Sequence, residues 1–297
     1  MNSLNWDFGA LSTVEFETVT YDIEEDFVSL SIDVNTAAVV FVPSEDEKCK
    51  VVFREYEDER HTAFVQGDTL RIELKEKGPG SKVAAFGFYP EDAFVNVYLP
   101  ETAYRNVSVE TDTGEVSIPA GFSFESVTID SDTGVVAFDA DVSGKLSVST
   151  DTGGVGIMDT KPGELEIRTD TGRIKAENMT CAGSVSVSSE TGDIRLSGLA
   201  CKSFELKGGT GETELANVVA EGRFDVSCST GDIRLDNCDA SELRLESDTG
   251  DITGSLRSAK IFIVDRGTGD VDVPKTSTGG RCEIGSETGD VRLAISS

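Results

Sequence analysis

Carboxylate side chains that recur beside a repeated Thr-Gly pair are the residues of this sequence best placed to do chemistry. Some come two residues before the glycine and others come one residue after it. Carboxylate oxygens are the ligands that calcium favours, so stacked repeats would offer this ion rows of acids. The candidate calcium ligands are Asp112, Asp132, Asp151, Asp170, Glu190, Asp193, Asp232, Asp251, Asp270 and Asp290.

The same carboxylates have a second interpretation, in which they serve the turns of the chain. An Asp before Thr-Gly can accept backbone N–H bonds, and solvent screens the remaining charge. Arg195, Arg234 and Arg292 each follow an acid by two residues, which predicts ion pairs along one face. We favour turn chemistry over calcium binding, and the sequence predicts no other cofactor.

The cysteines and the single histidine do not form a pattern typical of a catalytic or zinc site. None of the six cysteines forms C-x-x-C or a zinc spacing. Cys181 and Cys201 occupy equivalent positions one repeat apart, so they either form a disulfide or pack inward as small apolar residues, which we favour. His61 lies far along the chain from the repeats, so nucleophilic catalysis is not expected.

The Thr-Gly pair recurs ten times at intervals of 19 or 20 residues. A fixed period of this length indicates a stacked-repeat architecture, with the glycine in a turn and a positive φ expected there. The predicted structural turn residues are Thr113, Gly114, Thr133, Gly134, Thr152, Gly153, Thr171, Gly172, Thr191, Gly192, Thr210, Gly211, Thr230, Gly231, Thr249, Gly250, Thr268, Gly269, Thr288 and Gly289.

Apolar residues alternate with polar ones on both sides of each Thr-Gly pair. They lie five and seven residues before the glycine and two and four residues after it. Period-two alternation predicts two short strands in each repeat, and stacking lets each strand pair with its equivalent in the next repeat. The sequence therefore predicts an all-β fold, a single-stranded parallel β-helix (β-solenoid) of about ten coils. Thr113 should lie beside Thr133.

Residues 1–105 lack the full motif but still have a β pattern, and they are predicted to form an N-terminal cap continuous with the rod. Residues 30–41 align with residues 107–118 as a degenerate coil. Residues 61–74 predict a hairpin that turns at residues 66–68, and residues 95–100 predict the strand before the first full coil. The best candidate for a mobile loop is residues 78–81. The expected division is 1–105 for the cap and 106–297 for the solenoid repeats.

Net charge limits the partners that this chain can have. With 55 acidic and 26 basic residues, the net charge is −29, which argues against nucleic acid and anionic lipid. No apolar run is long enough to cross a membrane. The first seven residues lack the regions of a signal peptide. Taken alone, these features predict a soluble cytoplasmic protein or an ectodomain expressed without its anchor.

Residues 95–100, VNVYLP, are followed by turns such as ETGDIRL at 190–196 and STGDIRL at 229–235. This combination resembles the bacterial β-strand-repeat "putative adhesin" family, a domain of unknown function, over about residues 18–297. The resemblance implies a right-handed, pectate-lyase-like β-helix and an extracytoplasmic location. Members of the family are commonly anchored to the bacterial membrane by an N-terminal helix, which this sequence lacks. The family offers no catalytic residues to transfer.

Three functions remain open at this point. The first is a non-enzymatic, adhesin-like module on the bacterial cell surface that presents an acidic face to a protein or glycan partner. The second is a structural or envelope-stress scaffold that self-associates through the solenoid ends. The third is a carbohydrate-active β-helix enzyme, which we favour least because the bases are too regular to mark one groove and the acidic surface would repel an anionic glycan.

Overall fold

The computed structural model describes residues 16–56, 59–77 and 93–296, and every regular element within them is a β-strand. No helix in those ranges is long and apolar enough to cross a membrane. The loop expected at residues 78–81 lies outside them. The strands are β1 (Phe16–Ile23), β2 (Ser29–Val34), β3 (Ala38–Pro43), β4 (Cys49–Tyr56), β5 (Glu59–Gln66), β6 (Thr69–Lys77), β7 (Phe94–Leu99), β8 (Ala103–Thr113), β9 (Val116–Ile118), β10 (Ser123–Thr133), β11 (Val136–Phe138), β12 (Asp141–Val142), β13 (Lys145–Thr152), β14 (Val155–Met158), β15 (Glu164–Thr171), β16 (Ile174–Thr180), β17 (Ser184–Thr191), β18 (Ile194–Cys201), β19 (Ser203–Thr210), β20 (Thr213–Ala220), β21 (Arg223–Thr230), β22 (Ile233–Cys238), β23 (Glu242–Thr249), β24 (Ile252–Leu256), β25 (Lys260–Thr268), β26 (Val271–Asp272), β27 (Gly280–Thr288) and β28 (Val291–Ile295).

The strands form two long sheets, and each coil of the rod contributes one strand to each sheet. The first sheet has the order β1-β4-β7-β3-β9-β11-β14-β16-β18-β20-β22-β24-β28-β26. The second has the order β25-β27-β23-β21-β19-β17-β15-β13-β10-β8-β2-β6-β5, with β12 beside β10. This arrangement confirms the predicted β-solenoid of about ten repeat coils. Its right-handed winding stays a prediction.

The register of the stacked strands is the one that the repeat predicts. Thr133 pairs with Thr113 on one side and with Thr152 on the other. Inward residues such as Val127 and Ile129 are buried and pair with the equivalent apolar residues of the next coil. The alternating residues therefore form continuous apolar columns and one core along the rod.

The repeat glycines allow neighbouring coils to approach closely at the turn. Gly192 has φ 142°, and a Cβ placed on it would lie 1.9 Å from the carbonyl O of Gly172. Eight of the ten glycines have the expected positive φ, while Gly153 and Gly172 do not. A Cβ on either of those two would still lie within 1.7 Å of the neighbouring coil's carbonyl oxygen. Close packing of backbone on backbone, more than φ, therefore requires glycine here.

The N-terminal strands extend both sheets but not in sequence order. β2 and β3 stack directly on β8 and β9, with Leu30 opposite Val107 and Val39 opposite Val116, as the alignment of the degenerate coil predicted. β6 and β7 stack on the far side of β2 and β3. β5 turns back on β6 as the predicted hairpin, and β4 and β1 add antiparallel strands beyond β7. The division at residue 105 stays a prediction.

The last two coils are exchanged in space, which the sequence analysis did not foresee. β27 and β28 pair with β23 and β24, so the final coil lies inside. β25 and β26, which come earlier in the chain, pair only onto β27 and β28 and form the outer end of the described rod. Thr249 therefore stacks on Thr288 and not on Thr268, in contrast to simple sequential stacking.

A buried lysine and two glycines hold this exchange in place. The ammonium of Lys260 donates to the carbonyl O of Ala240 at 2.6 Å and lies 2.6 Å from Asp239 Oδ1. Lys260 on β25 is opposite Gly280 on β27. Because glycine has no side chain, nothing from β27 lies between Lys260 and Asp239 at that position. Cβ atoms on Gly279 and Gly280 would lie 1.7 and 2.0 Å from backbone oxygens of neighbouring coils. Both positions therefore require glycine for the chain to enter between those coils.

Candidate functional site

The acids that follow the repeat glycines bind the backbone of the neighbouring coil. Asp251 N–H donates to Asp232 Oδ1 at 3.0 Å, and Asp290 N–H donates to Asp251 Oδ1 at 2.8 Å. Asp270 N–H donates to Asp290 Oδ1 at 2.7 Å, and this bond, with Arg292, holds the pKa of Asp290 below its usual value. Glu212 N–H reaches Asp193 Oδ1 at 3.3 Å. The acceptors are thus the acids after the glycine, whereas the turn chemistry expected from the sequence was assigned to the Asp before Thr-Gly and stays a prediction there.

The acids that precede the glycines form a separate and more exposed row. Asp112, Asp132, Asp151 and Glu190 are exposed, and Asp170 is half-buried. Arg168 lies 2.9 Å from Asp170 Oδ1 and 3.8 Å from Glu190 Oε1, so one arginine bridges two coils. Such exposed pairs contribute at most about 1 kcal/mol each. The row is a solvated edge of the rod.

Arginines on the predicted face offset part of the acidic charge. Arg195 lies 3.6 Å from Asp193 and 2.7 Å from Glu214. Arg234 lies 3.1 Å from Asp232 and also pairs with Glu212 on the preceding coil. Arg292 lies 2.5 Å from Asp290, which completes the three predicted pairs. The face is therefore a network across coils that balances charge locally.

Calcium binding by these rows stays a prediction. Across residues 16–56, 59–77 and 93–296, no group of three or more Asp, Glu, His or Cys side chains is arranged to hold a metal ion. Four carboxylates after the glycines already accept backbone N–H groups, namely Asp193, Asp232, Asp251 and Asp290. A cation would have to compete with those bonds for the same oxygens.

All six cysteines are free and buried. Cys181 and Cys201 are not bridged, and Cys201 pairs with Ala220 in a column of small inward residues. Burial raises the pKa of the Cys201 and Cys282 thiols to about 12 and that of Cys238 to about 11. The thiolate is the nucleophilic form, and these raised pKa values leave almost no thiolate at neutral pH. The three cysteines are therefore core residues and not nucleophiles.

We expect the native protein at pH 8 to react with a disulfide reagent at least about 100-fold more slowly than the unfolded chain, because raised pKa values suppress the thiolate. Thiol release followed by absorbance measures this, and six thiols should appear in denaturant. A Val135→Cys variant, at a position 52% exposed, provides the fast control. Folding raises these pKa values above the usual 9, so the buried thiols do not lower the free energy of unfolding below pH 9. As the pH rises further, the unfolded chain loses thiol protons first, and the free energy of unfolding falls. Fast labelling of native cysteines would contradict it.

An acidic groove of about 1100 Å³ lies at the N-terminal end of the rod, where three loops meet. The loops follow β1, β3 and β7, and Lys48 is the one basic residue that lines the groove. The pKa of Asp46 is lowered by hydrogen bonds from the Ser44 hydroxyl and the Lys48 N–H. The lining carboxylates are Asp22, Glu24, Glu25, Asp26, Glu45, Asp46, Glu47 and Glu101.

This groove was not predicted from the sequence, although two acidic runs signal it. Residues 22–26 read DIEED and begin in the last two residues of β1, and residues 44–48 read SEDEK and directly follow β3. Neither run belongs to the repeat, so the 19- or 20-residue period does not identify either of them as part of a site. Pairing of β1, β4, β7 and β3 in one sheet is what brings their loops together.

A buried hydrogen-bonded pair, His61 and Glu55, lies beneath the surface of the N-terminal strands. His61 Nδ1 is 3.0 Å from Glu55 Oε2, and the backbone N–H of His61 donates to the same oxygen at 2.7 Å. The imidazole stacks on Phe53 with ring centroids 5.4 Å apart. Both side chains are 3% exposed. The pair ties β4 to β5, and a macromolecular substrate cannot reach it.

A column of corner residues with positive φ was also missed. Asn178, Asn217 and Asn237 have φ of 54–56°, and Asp159 and Gly198 occupy the equivalent corner. Asn237 Nδ2 donates to Asn217 Oδ1 at 2.7 Å, which links two coils. Asn, Asp and Gly are the residues that adopt this conformation most readily, so their recurrence six residues after the glycine was the available signal.

Comparison with known proteins places these features in a family. The family model described as Toastrack DUF4097 matches residues 27–196 and 182–297, which together span both the N-terminal coils and all ten repeats. This agrees with the resemblance seen in the VNVYLP strand and the Thr-Gly turns. A search of the curated proteins found no match.

Several solved structures are similar to this chain over most of their length. A "putative adhesin" from Bacteroides fragilis is 13% identical, with 94% of this chain and 97% of that chain covered and a TM-score of 0.47. A "putative adhesin" from Parabacteroides distasonis is 14% identical, with 95% and 98% covered and a TM-score of 0.47. A "putative cell adhesion protein" from Clostridium sporogenes is 11% identical, with 95% and 100% covered and a TM-score of 0.20.

Proposed function

The chain belongs to the Toastrack DUF4097 family, and we propose that it is a non-enzymatic, adhesin-like binding module that acts outside the cytoplasmic membrane. The acidic groove carries this proposal. It gathers eight carboxylates around one lysine at one end of a rigid rod. A surface of this charge attracts a basic segment of a protein or a glycan that bears amino groups.

Several features support binding rather than catalysis. Cys49 lines the groove, but burial raises the pKa of its thiol to about 12, so it is not a nucleophile at neutral pH. The histidine is buried beside Glu55, away from solvent. Loops held by a rigid sheet are the usual place for binding residues. The rod then serves as a spacer that presents the groove.

Reversing charge in the groove is expected to weaken binding to an oligolysine peptide. We expect Glu24→Lys combined with Asp26→Lys to raise the Kd at least about tenfold, because opposite charges steer and hold the ligand. Anisotropy of a labelled peptide at two salt concentrations measures this, and salt should weaken binding to the wild type strongly and binding to the groove variant only slightly. Asp112→Lys combined with Asp132→Lys makes the same charge change on the turn edge and is the matched control.

An equal loss of affinity in the control would show that the peptide senses net charge alone and would overturn the groove as the site. A glycan array tests the other partner class, because binding to amino sugars that the groove variant loses would identify a glycan. The self-associating scaffold is favoured by a different feature, the uncovered C-terminal coil.

A further inference from the structure

The outer strand at the C-terminal end is apolar on both faces. Ile261 and Ile263 point outward and are 43% and 47% exposed. The neighbouring coil carries Arg281 and Glu283 opposite them. Phe262 points inward but is only half-buried, whereas its partner Cys282 is fully buried. A strand with a continuous apolar run is typical of a sheet that is covered on both sides.

The backbone of this strand is also open along one edge. Within the described residues, β25 pairs only with β27, and β26 pairs only with β28. β25 is nine residues long, so its outer edge presents a row of N–H and C=O groups. At the opposite end of the same sheet, the edge strand β5 carries the partly exposed Arg60, the kind of charge that protects an edge.

The charge of this end differs from that of the rest of the chain. Residues 257–281 contain five basic and three acidic residues, a net charge of +2 within a chain of −29. Lys260 is buried and paired with Asp239, so the exposed residues of this segment are close to neutral. Two rods that meet here therefore bring together surfaces of low charge, while their acidic sides stay apart. Side-by-side contact would instead bring the acidic rows into repulsion.

We propose that two copies of this chain associate end to end through β25, with the two β25 strands antiparallel. A two-fold axis through Phe262 places Ile261 of each copy opposite Ile263 of the other. It continues the second sheet from one rod into the next and covers the open end of the core. The acidic grooves then lie at the far ends of a doubled rod, which makes the dimer bivalent.

A second copy fits this edge better than the other occupants. An isologous contact matches Ile261 and Ile263 with an equally apolar edge, which this end itself supplies. Docking on β5 would instead place the same isoleucines on a strand that carries the charged Arg60. An anionic vesicle would meet three acids on the coil and the strongly acidic rod behind them.

Sedimentation equilibrium and small-angle X-ray scattering test the contact on the full chain. We expect a dimer whose maximum dimension is nearly twice that of the monomer and whose association strengthens as salt screens the rods. Ile263→Lys should weaken dimerisation at least tenfold, because it places a charge in the apolar edge. Val135→Lys, at another exposed position on a middle coil, should leave the dimer intact. Melting followed by circular dichroism confirms that both variants are folded.

Three results would overturn the proposal. A wild-type chain that stays monomeric at about 100 μM would show that no specific contact exists, since weak specific interfaces bind below this range. A dimer no longer than the monomer would indicate lateral association. Binding of monomers to phosphatidylserine vesicles through Ile263 would make the edge a lipid site. The Ile263→Lys monomer should still bind oligolysine, because its groove is unchanged. That measurement distinguishes a failure of the dimer proposal from a failure of the groove proposal.

Discussion

Replacing Gly192 with alanine is expected to lower the free energy of unfolding by about 3 kcal/mol. The added Cβ would lie 1.9 Å from the carbonyl O of Gly172 and 2.6 Å from its carbonyl C, at a φ of 142°. Neither coil can retreat without breaking the Gly172 N–H bond to Thr191 O, which is 2.9 Å long. Denaturant unfolding of the purified variant measures the change.

A glycine one residue further along an equivalent turn provides the matched control. A Cβ on Gly154 would have Arg173 O as its nearest neighbour, at 3.5 Å, which is ordinary contact. Gly154→Ala should therefore change the stability by less than about 0.5 kcal/mol, or raise it slightly through the unfolded chain. If Gly192→Ala unfolds at the same denaturant concentration as Gly154→Ala, backbone contact at the turn does not limit the fold.

Replacing Lys260 with alanine is expected to loosen the exchanged C-terminal coils by about 2 kcal/mol. Breaking a buried pair is costly because the remaining charge has no partner, and Asp239 is partly exposed, which lowers the cost. Lys260 also donates to Ser258 Oγ at 2.8 Å, so three bonds are lost together. Hydrogen exchange of residues 280–295 is the direct measurement, since the end of a solenoid opens locally.

The experiment is best made in the Ile263→Lys background, so that loss of dimerisation does not contribute to the change. Lys202→Ala removes an exposed lysine from a middle coil and should leave exchange unaffected. Protection of residues 280–295 equal to that of the parent would mean that the glycines alone fix the exchange. Lys260→Met keeps the apolar stem, so a smaller effect than alanine would separate packing from charge.

The two ends of the rod differ in chemistry, and this difference gives the molecule its direction. The N-terminal end carries the acidic groove between loops, and the C-terminal end carries an apolar strand with a net positive coil. Between them the coils are nearly equivalent and rigidly stacked. A partner at one end and a second copy at the other are therefore compatible in a single assembly.

The repeat architecture could be read from the sequence because a period of 19 or 20 residues fixes which residues face inward. Val127 and Ile129 alternate with polar residues, and a strand with that pattern has only one face to bury. Thr-Gly marks each turn in the same way. These are local properties, and ten copies of them predict the stacked coils and the pairing of equivalent threonines, such as Thr113 with Thr133.

The order of the end coils and the position of the groove were decided only by the tertiary structure. Cys282 and Ile284 suit the inward columns as well as Phe262 and Val264 do, so the pattern cannot tell which pair lies outermost. Lys260 reaching past Gly280 to Asp239 makes that choice, through contacts between residues about 20 and 40 positions apart. The groove likewise depends on strands that pair out of sequence order, and no local signal specifies such pairing.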